Sequence, residues 1–134
     1  MSIIKVNKLT KIYDGSQIEV KAVNGVDLSF EQGEFTAVVG PSGSGKTTFL
    51  NLVGGLDRPT SGEVIVDNVN IWKLSGRKLI VFRLHNIGFV FQAYNLIPVL
   101  TAKENVEFIM ELQGKPKEER FPRTKALLEA VGLG

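Results

Sequence analysis

The chain has 134 residues, 43% hydrophobic and 22% charged, an ordinary balance for one globular domain. It has no cysteine, which excludes disulfides and thiolate metal sites and fits a reducing cytosol. The net charge of +2 comes from Lys73, Arg77, Lys78 and Arg83, which are too sparse for a nucleic-acid stripe and read as a solvated face, so no nucleic-acid partner is expected.

The N-terminus alternates apolar and polar residues and lacks an apolar block of signal-peptide length. Ile4, Val6 and Leu9 predict a strand ending near Tyr13, followed by a turn over Asp14-Gly15-Ser16-Gln17. Val20, Ala22, Val23, Val26, Leu28 and Phe30 predict more strand, broken by the turn dipeptide Asn24-Gly25. After the turn Glu31-Gln32-Gly33, the short apolar run Phe35–Val39 reads as a buried strand. No apolar run is long enough to span a bilayer, so a soluble protein is expected, with any membrane role exerted through a partner.

Residues 40–47 read G-P-S-G-S-G-K-T, which satisfies G-x-x-x-x-G-K-[ST]. Glycines at 40, 43 and 45 let the backbone turn tightly and bring successive N–H groups onto phosphate oxygens; Pro41, Ser42 and Ser44 complete the loop. A helix from Lys46 aims its positive end at the same anion. Lys46 adds a full charge for the β- and γ-phosphates, and the Thr47 hydroxyl can coordinate Mg²⁺. Ser42 and Thr48 flank the cradle and are candidates to bond phosphate. The expected ligand is ATP with Mg²⁺.

Beyond the loop, Phe49, Leu50, Leu52, Val53 and Leu56 recur at helical spacing, and Gly54-Gly55 suits the helix end. Glu63–Val66 predicts a strand, Asp67-Asn68 a tight turn into a short partner strand, and Ile87–Phe91 a further short strand ending at Gln92. Thr101-Ala102-Lys103-Glu104 is a capping box opening a helix through about Gln113. Gly114 to Glu119 reads as a polar connector, with a second helix starting near Pro122. His85, the only histidine, has no metal-ligand partner at useful spacing and reads as a surface or packing residue; Trp72 reads as packing beside Ile71.

At this point the sequence resembles a known family. G-P-S-G-S-G-K-T-T with Leu50-Asn51, Arg58-Pro59-Thr60-Ser61-Gly62-Glu63 and Ile87-Gly88-Phe89-Val90-Phe91-Gln92 are similar to the first half of the ATPase subunit of an ATP-binding cassette (ABC) transporter. The run Phe91–Asn105 is similar to the branch containing lipoprotein-release and macrolide-export ATPases. The resemblance implies an α/β, ABC-type P-loop NTPase fold with an N-terminal antiparallel β layer. All of 1–134 would then be the N-terminal part of the ATPase domain, with 1–100 a nucleotide-binding core and 101–134 the start of a helical subdomain. It also implies that Gln92 reaches Mg²⁺ and the attacking water, which makes Lys46 and Gln92 the catalytic candidates and Thr47 and Gln92 the metal ligands. By the same resemblance Tyr13 stacks on adenine and Val23 lines the base pocket.

The implied function is ATP hydrolysis that drives transport, at the cytoplasmic face of the cell membrane, through transmembrane permease subunits. Tyr94–Leu100 reads equally well as part of the surface that meets those subunits and as ordinary core. The family's L-S-G-G-Q signature, its strand ending in Asp-Glu and its switch histidine do not occur in these 134 residues, so this chain alone is expected to bind nucleotide without turnover. The alternatives are a non-catalytic nucleotide-binding or merely folded fragment, and a different P-loop enzyme such as a nucleotide kinase; the strands ahead of the loop speak against the kinase. With strands 35–39 and 87–91 short of partners, a homo-oligomer is expected.

Overall fold

Alternation along the first 31 residues builds a long antiparallel hairpin, β1 (Ser2–Asp14) with β2 (Glu19–Glu31). The computed structural model describes residues 1–15 and 17–134, so the expected turn at 14–17 falls partly outside the described residues, at Ser16. Asn24-Gly25 does not interrupt β2 as the turn signal suggested. Leu9 pairs with Val26 and Lys11 with Val23, so β2 carries one residue too many and the ladder absorbs Asn24-Gly25 as a bulge. A matching irregularity in β1 centres on Lys8 (φ 47°), and Gly62 lies against it so tightly that a Cβ would stand 2.4 Å from the Lys8 carbonyl oxygen.

β3 (Ser61–Val66) pairs antiparallel with the other edge of β1, and the two-residue β4 (Val69–Asn70) returns on β3. Among the described residues the sheet order is β2-β1-β3-β4. Asp67 and Asn68 take φ of 48° and 64°, the left-handed pair that a tight two-residue hairpin requires. Helix α1 (Lys46–Val53) packs Phe49 and Leu52 onto this sheet, where they meet Val6, Leu9, Val23, Val64 and Val66. Full burial of such a side chain stabilises by about 1.5–3 kcal/mol. Ile71 joins the same core, and Trp72 packs beside it while its ring nitrogen donates to the Leu52 carbonyl at 3.1 Å.

Residues 76–86, unassigned from sequence, form helix α2 (Gly76–Asn86), which buries Leu79 and carries His85 exposed on its surface. Two of the four excess cations are more than solvated: Arg83 donates to the Gly55 carbonyl at 3.2 Å, and Lys73 lies 3.4 Å from Glu63.

The chain divides into two compact units, Met1–Arg83 and Leu84–Gly134. In the second, α3 (Ala102–Leu112) and α4 (Lys117–Ala130) pack together. The capping box forms as expected, with Glu104 N–H donating to the Thr101 hydroxyl and Thr101 N–H donating to the Glu104 carboxylate. α4 starts at Lys117, earlier than the proline suggested, because Glu118 and Glu119 favour the positive first turn; Pro122 is carried inside the helix.

Phe35–Val39 and Ile87–Phe91 form no ladder among the described residues. An interior parallel strand is held by neighbours on both edges, and here none pairs with them. Phe35, Val39 and Val90 are accordingly exposed, Phe35 fully and Val39 at 86%.

Candidate nucleotide-binding site

The loop between residue 39 and α1 is held by its own backbone. Gly43 and Gly45 stand at φ of 78° and 91°, where side-chain-bearing residues are strained. Gly45 also faces β2 so closely that a Cβ would fall 2.2 Å from the Ala22 carbonyl oxygen, with Val23 next to it. The loop therefore needs glycine twice over at this position, once for conformation and once for space.

Gly45 is the N-cap of α1, and the first intrahelical bond runs from Phe49 N–H to the Gly45 carbonyl at 2.8 Å. The N–H groups ahead of it have no intrahelical acceptor and sit at the positive end of the helix. Lys46 folds back over the loop, donating to the carbonyls of Gly40 at 2.6 Å and Pro41 at 2.7 Å and to Ser44 Oγ at 3.2 Å. An ammonium has three donors, so Lys46 is oriented toward the loop interior by three acceptors.

The other sequence candidates are dispersed around this loop. Ser42 and Thr47 are exposed and Thr48 is half-buried. Val23 is buried and lines, with Gly45, Lys46 and Phe49, a depression of about 350 Å³. Tyr13, at the end of β1, is 43% exposed and does not line that depression. Gln92 is exposed and belongs to the unit Leu84–Gly134, not to the one carrying the loop.

Sequence reasoning missed Asp57. Its carboxylate accepts from the Tyr13 hydroxyl at 2.8 Å and from Lys11 Nζ at 3.0 Å. The available signal was an acid just past the C-terminal end of α1, where the helix dipole disfavours negative charge unless a cation compensates it.

Among the described residues no group of three or more His, Cys, Asp or Glu could hold a metal. A cradle of backbone amides with a lysine and a hydroxyl suits a polyphosphate, and Mg²⁺ is characteristically held by few protein ligands plus substrate phosphates.

A family model described as ABC transporter matches residues 23–134. The chain belongs to the ABC transporter family. It is 49% identical over 124 residues to an uncharacterized ABC transporter ATP-binding protein of Thermotoga maritima, covering 92% of this chain and 53% of that one. It is 41% identical over 132 residues to the macrolide export ATP-binding/permease protein MacB of Brucella abortus, covering 98% of this chain and 20% of that one. Among solved structures, it superposes with TM-score 0.88 and 43% identity on the dimeric, post-hydrolysis state of the ATP-binding cassette MJ0796 bound to ADP and Pi, from Methanocaldococcus jannaschii, over 94% of this chain and 56% of that one.

The ABC chain thus spans about half the length of the separate ATP-binding relatives it matches. It carries the P-loop NTPase fold of an ABC cassette and is a nucleotide-binding part of such a domain, and its relatives include a macrolide export protein of the branch its sequence resembled. Among the described residues no helix is long and apolar enough to cross a membrane.

Proposed function

We propose that Gly40–Thr48 grips the phosphates of ATP with Mg²⁺ and that the whole protein hydrolyses this ATP to drive transport. Lys46 would exchange bonds to its loop acceptors for bonds to β- and γ-phosphate oxygens, while the amides at the start of α1 close on the same group. Thr47 and Gln92 would hold Mg²⁺, which supplies charge neutralisation on the phosphates. Tyr13 would stack on the base and Val23 would line its pocket. Residues 1–100 would form the nucleotide-binding core and 101–134 open the helical subdomain.

The partners in this reading are transmembrane permease subunits met at the inner face of the cell membrane from the cytoplasm. Supporting it, the MacB relative is an ATP-binding/permease protein, and Tyr94, Leu96 and Val99 are exposed on a stretch tied down by Asn105, whose side chain bonds Ile97, Leu100 and Thr101. A homo-oligomer is a separate expectation, supported by the exposed runs 35–39 and 87–91, through which copies of this chain would associate. Light scattering over a dilution series should show association that Phe35→Lys and Val90→Lys weaken.

The observation that carries the proposal is the Lys46 ammonium held inside a loop of left-handed glycines at a helix N-terminus. Charge-assisted bonds to phosphate are roughly twice as strong as neutral ones. Lys46→Ala should therefore abolish or greatly weaken ATP binding in calorimetry, and equal affinity of the two forms would refute it.

A further inference from the structure

Asp57 joins two parts of the unit that the chain places far apart. Lys11 and Tyr13 are alternate residues of β1 and share a face of the sheet. Both reach Asp57: the Tyr13 hydroxyl donates to Oδ2 at 2.8 Å, and Lys11 Nζ to Oδ1 at 3.0 Å. Lys11 also donates to the Arg58 carbonyl at 2.7 Å and stands 5.1 Å from the centroid of the Tyr13 ring, within cation–π range. The Lys11 side chain is only 16% exposed and that of Asp57 33%, so this pair is shielded as surface ion pairs are not. Burial pushes the Asp57 carboxyl up, but bonds from Tyr13, Lys11 and the Arg58 amide outweigh it and hold the group below its ordinary value.

On its other side, Asp57 is fixed to α1. The N–H groups of Leu56 and Asp57 both donate to the Asn51 carbonyl, at 2.8 and 3.2 Å. The opposite end of that helix is Lys46. One rigid element therefore carries the phosphate lysine at its start and the tether of the aromatic ring just past its end.

We infer that Asp57 is a positioning residue: by holding Tyr13 and Lys11 it sets the ring relative to the P-loop, so that the base and the phosphates of one nucleotide are bound as a unit. The inference rests on the proposed stacking role of Tyr13 and deepens it. The ligand class is a nucleotide with a planar base, as against a bare polyphosphate. A ring whose hydroxyl is tied loses less freedom on stacking than a free one.

The test is calorimetric titration of the full chain with Mg²⁺-ATP and with Mg²⁺-tripolyphosphate, alongside quenching of a fluorescent etheno-adenine triphosphate on binding. Tyr13→Ala should lose about 5- to 150-fold in ATP affinity and less than about twofold in tripolyphosphate affinity. Asp57→Ala should lose about two- to tenfold for ATP alone, with weaker quenching. Asp57→Asn, which keeps an acceptor for the phenol, should recover part of the quenching. Tyr13→Phe deletes the same bond from the other side without touching the end of α1, so it should lose a similar small factor even if Asp57→Ala folds poorly. In the Tyr13→Phe background, Asp57→Ala should add less than about twofold.

Equal losses of ATP and tripolyphosphate in Asp57→Ala would make Asp57 merely structural and overturn the inference. So would a base-specific loss in Tyr13→Ala with none in either Asp57→Ala or Tyr13→Phe, an outcome that leaves the stacking reading standing. No base-specific loss in Tyr13→Ala would overturn the stacking reading, and this inference with it.

Discussion

Residues 35–39 and 40–47 are consecutive, and each reads plainly in the sequence, the first as a buried strand and the second as a phosphate loop. The loop takes its shape from bonds and contacts inside one unit: Lys46 on Gly40 and Pro41, Gly45 against Ala22, α1 on the sheet. The apolar run beside it takes no such shape, with Phe35 fully exposed and Val39 at 86%. Strand propensity describes how well a residue fits a pleated, half-buried surface, and that surface must be supplied by other strands. This loop is closed by contacts inside its own unit; an interior strand is closed by neighbouring strands.

The largest effect expected on the self-closed side is at Gly45. Alanine there must adopt a φ of 91° and place its Cβ 2.2 Å from a backbone oxygen of β2. Neither can relax without moving β2 or opening the loop. Gly45→Ala should cost about 3 kcal/mol, equivalent to roughly 100-fold in ATP affinity if the loss falls on the loop. Retained affinity in calorimetry would mean that the loop is not closed as described.

A pair of valines differs in the same way. Val64 is fully buried in β3, while Val39 is 86% exposed. Val64→Ala should destabilise the chain by about 2–3 kcal/mol, counting the lost methyls and the cavity. Val39→Ala should stay within about 0.5 kcal/mol. Urea unfolding of the two variants measures both. Comparable losses would mean that residues 35–39 are packed after all.

What was legible follows the same division. The left-handed glycines at 43 and 45, the turn at Asp67-Asn68, the helix end at Gly54 and the capping box at Thr101 each depend on a handful of neighbouring residues with special backbone or side-chain chemistry, and each was legible. α2 was missed because only Leu79 is buried among its residues, which leaves little apolar periodicity to read. Its available signal was Ser75, whose hydroxyl accepts from Lys78 N–H at 3.4 Å in the manner of an N-cap. The bulge at Asn24-Gly25 reads as a turn because the same left-handed glycine (φ 61°) serves both, and only the pairing of β1 decides between them. Around the candidate site, the glycine turns of the loop were legible and the contact through Asp57 was not. That contact spans 44 positions to Tyr13, and no local pattern announces it.

The smallest effect tests the self-closed class in the other unit. Thr101 and Glu104 bond each other's backbone at the start of α3. Thr101→Ala should cost about 1 kcal/mol in unfolding experiments. The Glu104 carboxyl is held below 4.5 chiefly by the bond from Thr101 N–H, then by Thr101's side chain. A lowered folded-state value means that the carboxylate stabilises the fold at pH above 4.5 and that this contribution fades as pH falls through the folded value. Glutamine can take the same place in the box but does not titrate. The stability difference between the wild-type chain and Glu104→Gln should therefore be constant near neutrality and should shift against the wild type on acidification below 4.5. A difference that stays flat through that range would show that Glu104 is not bound to the helix start, and that even a short-range signal in this unit needs support from elsewhere in the chain.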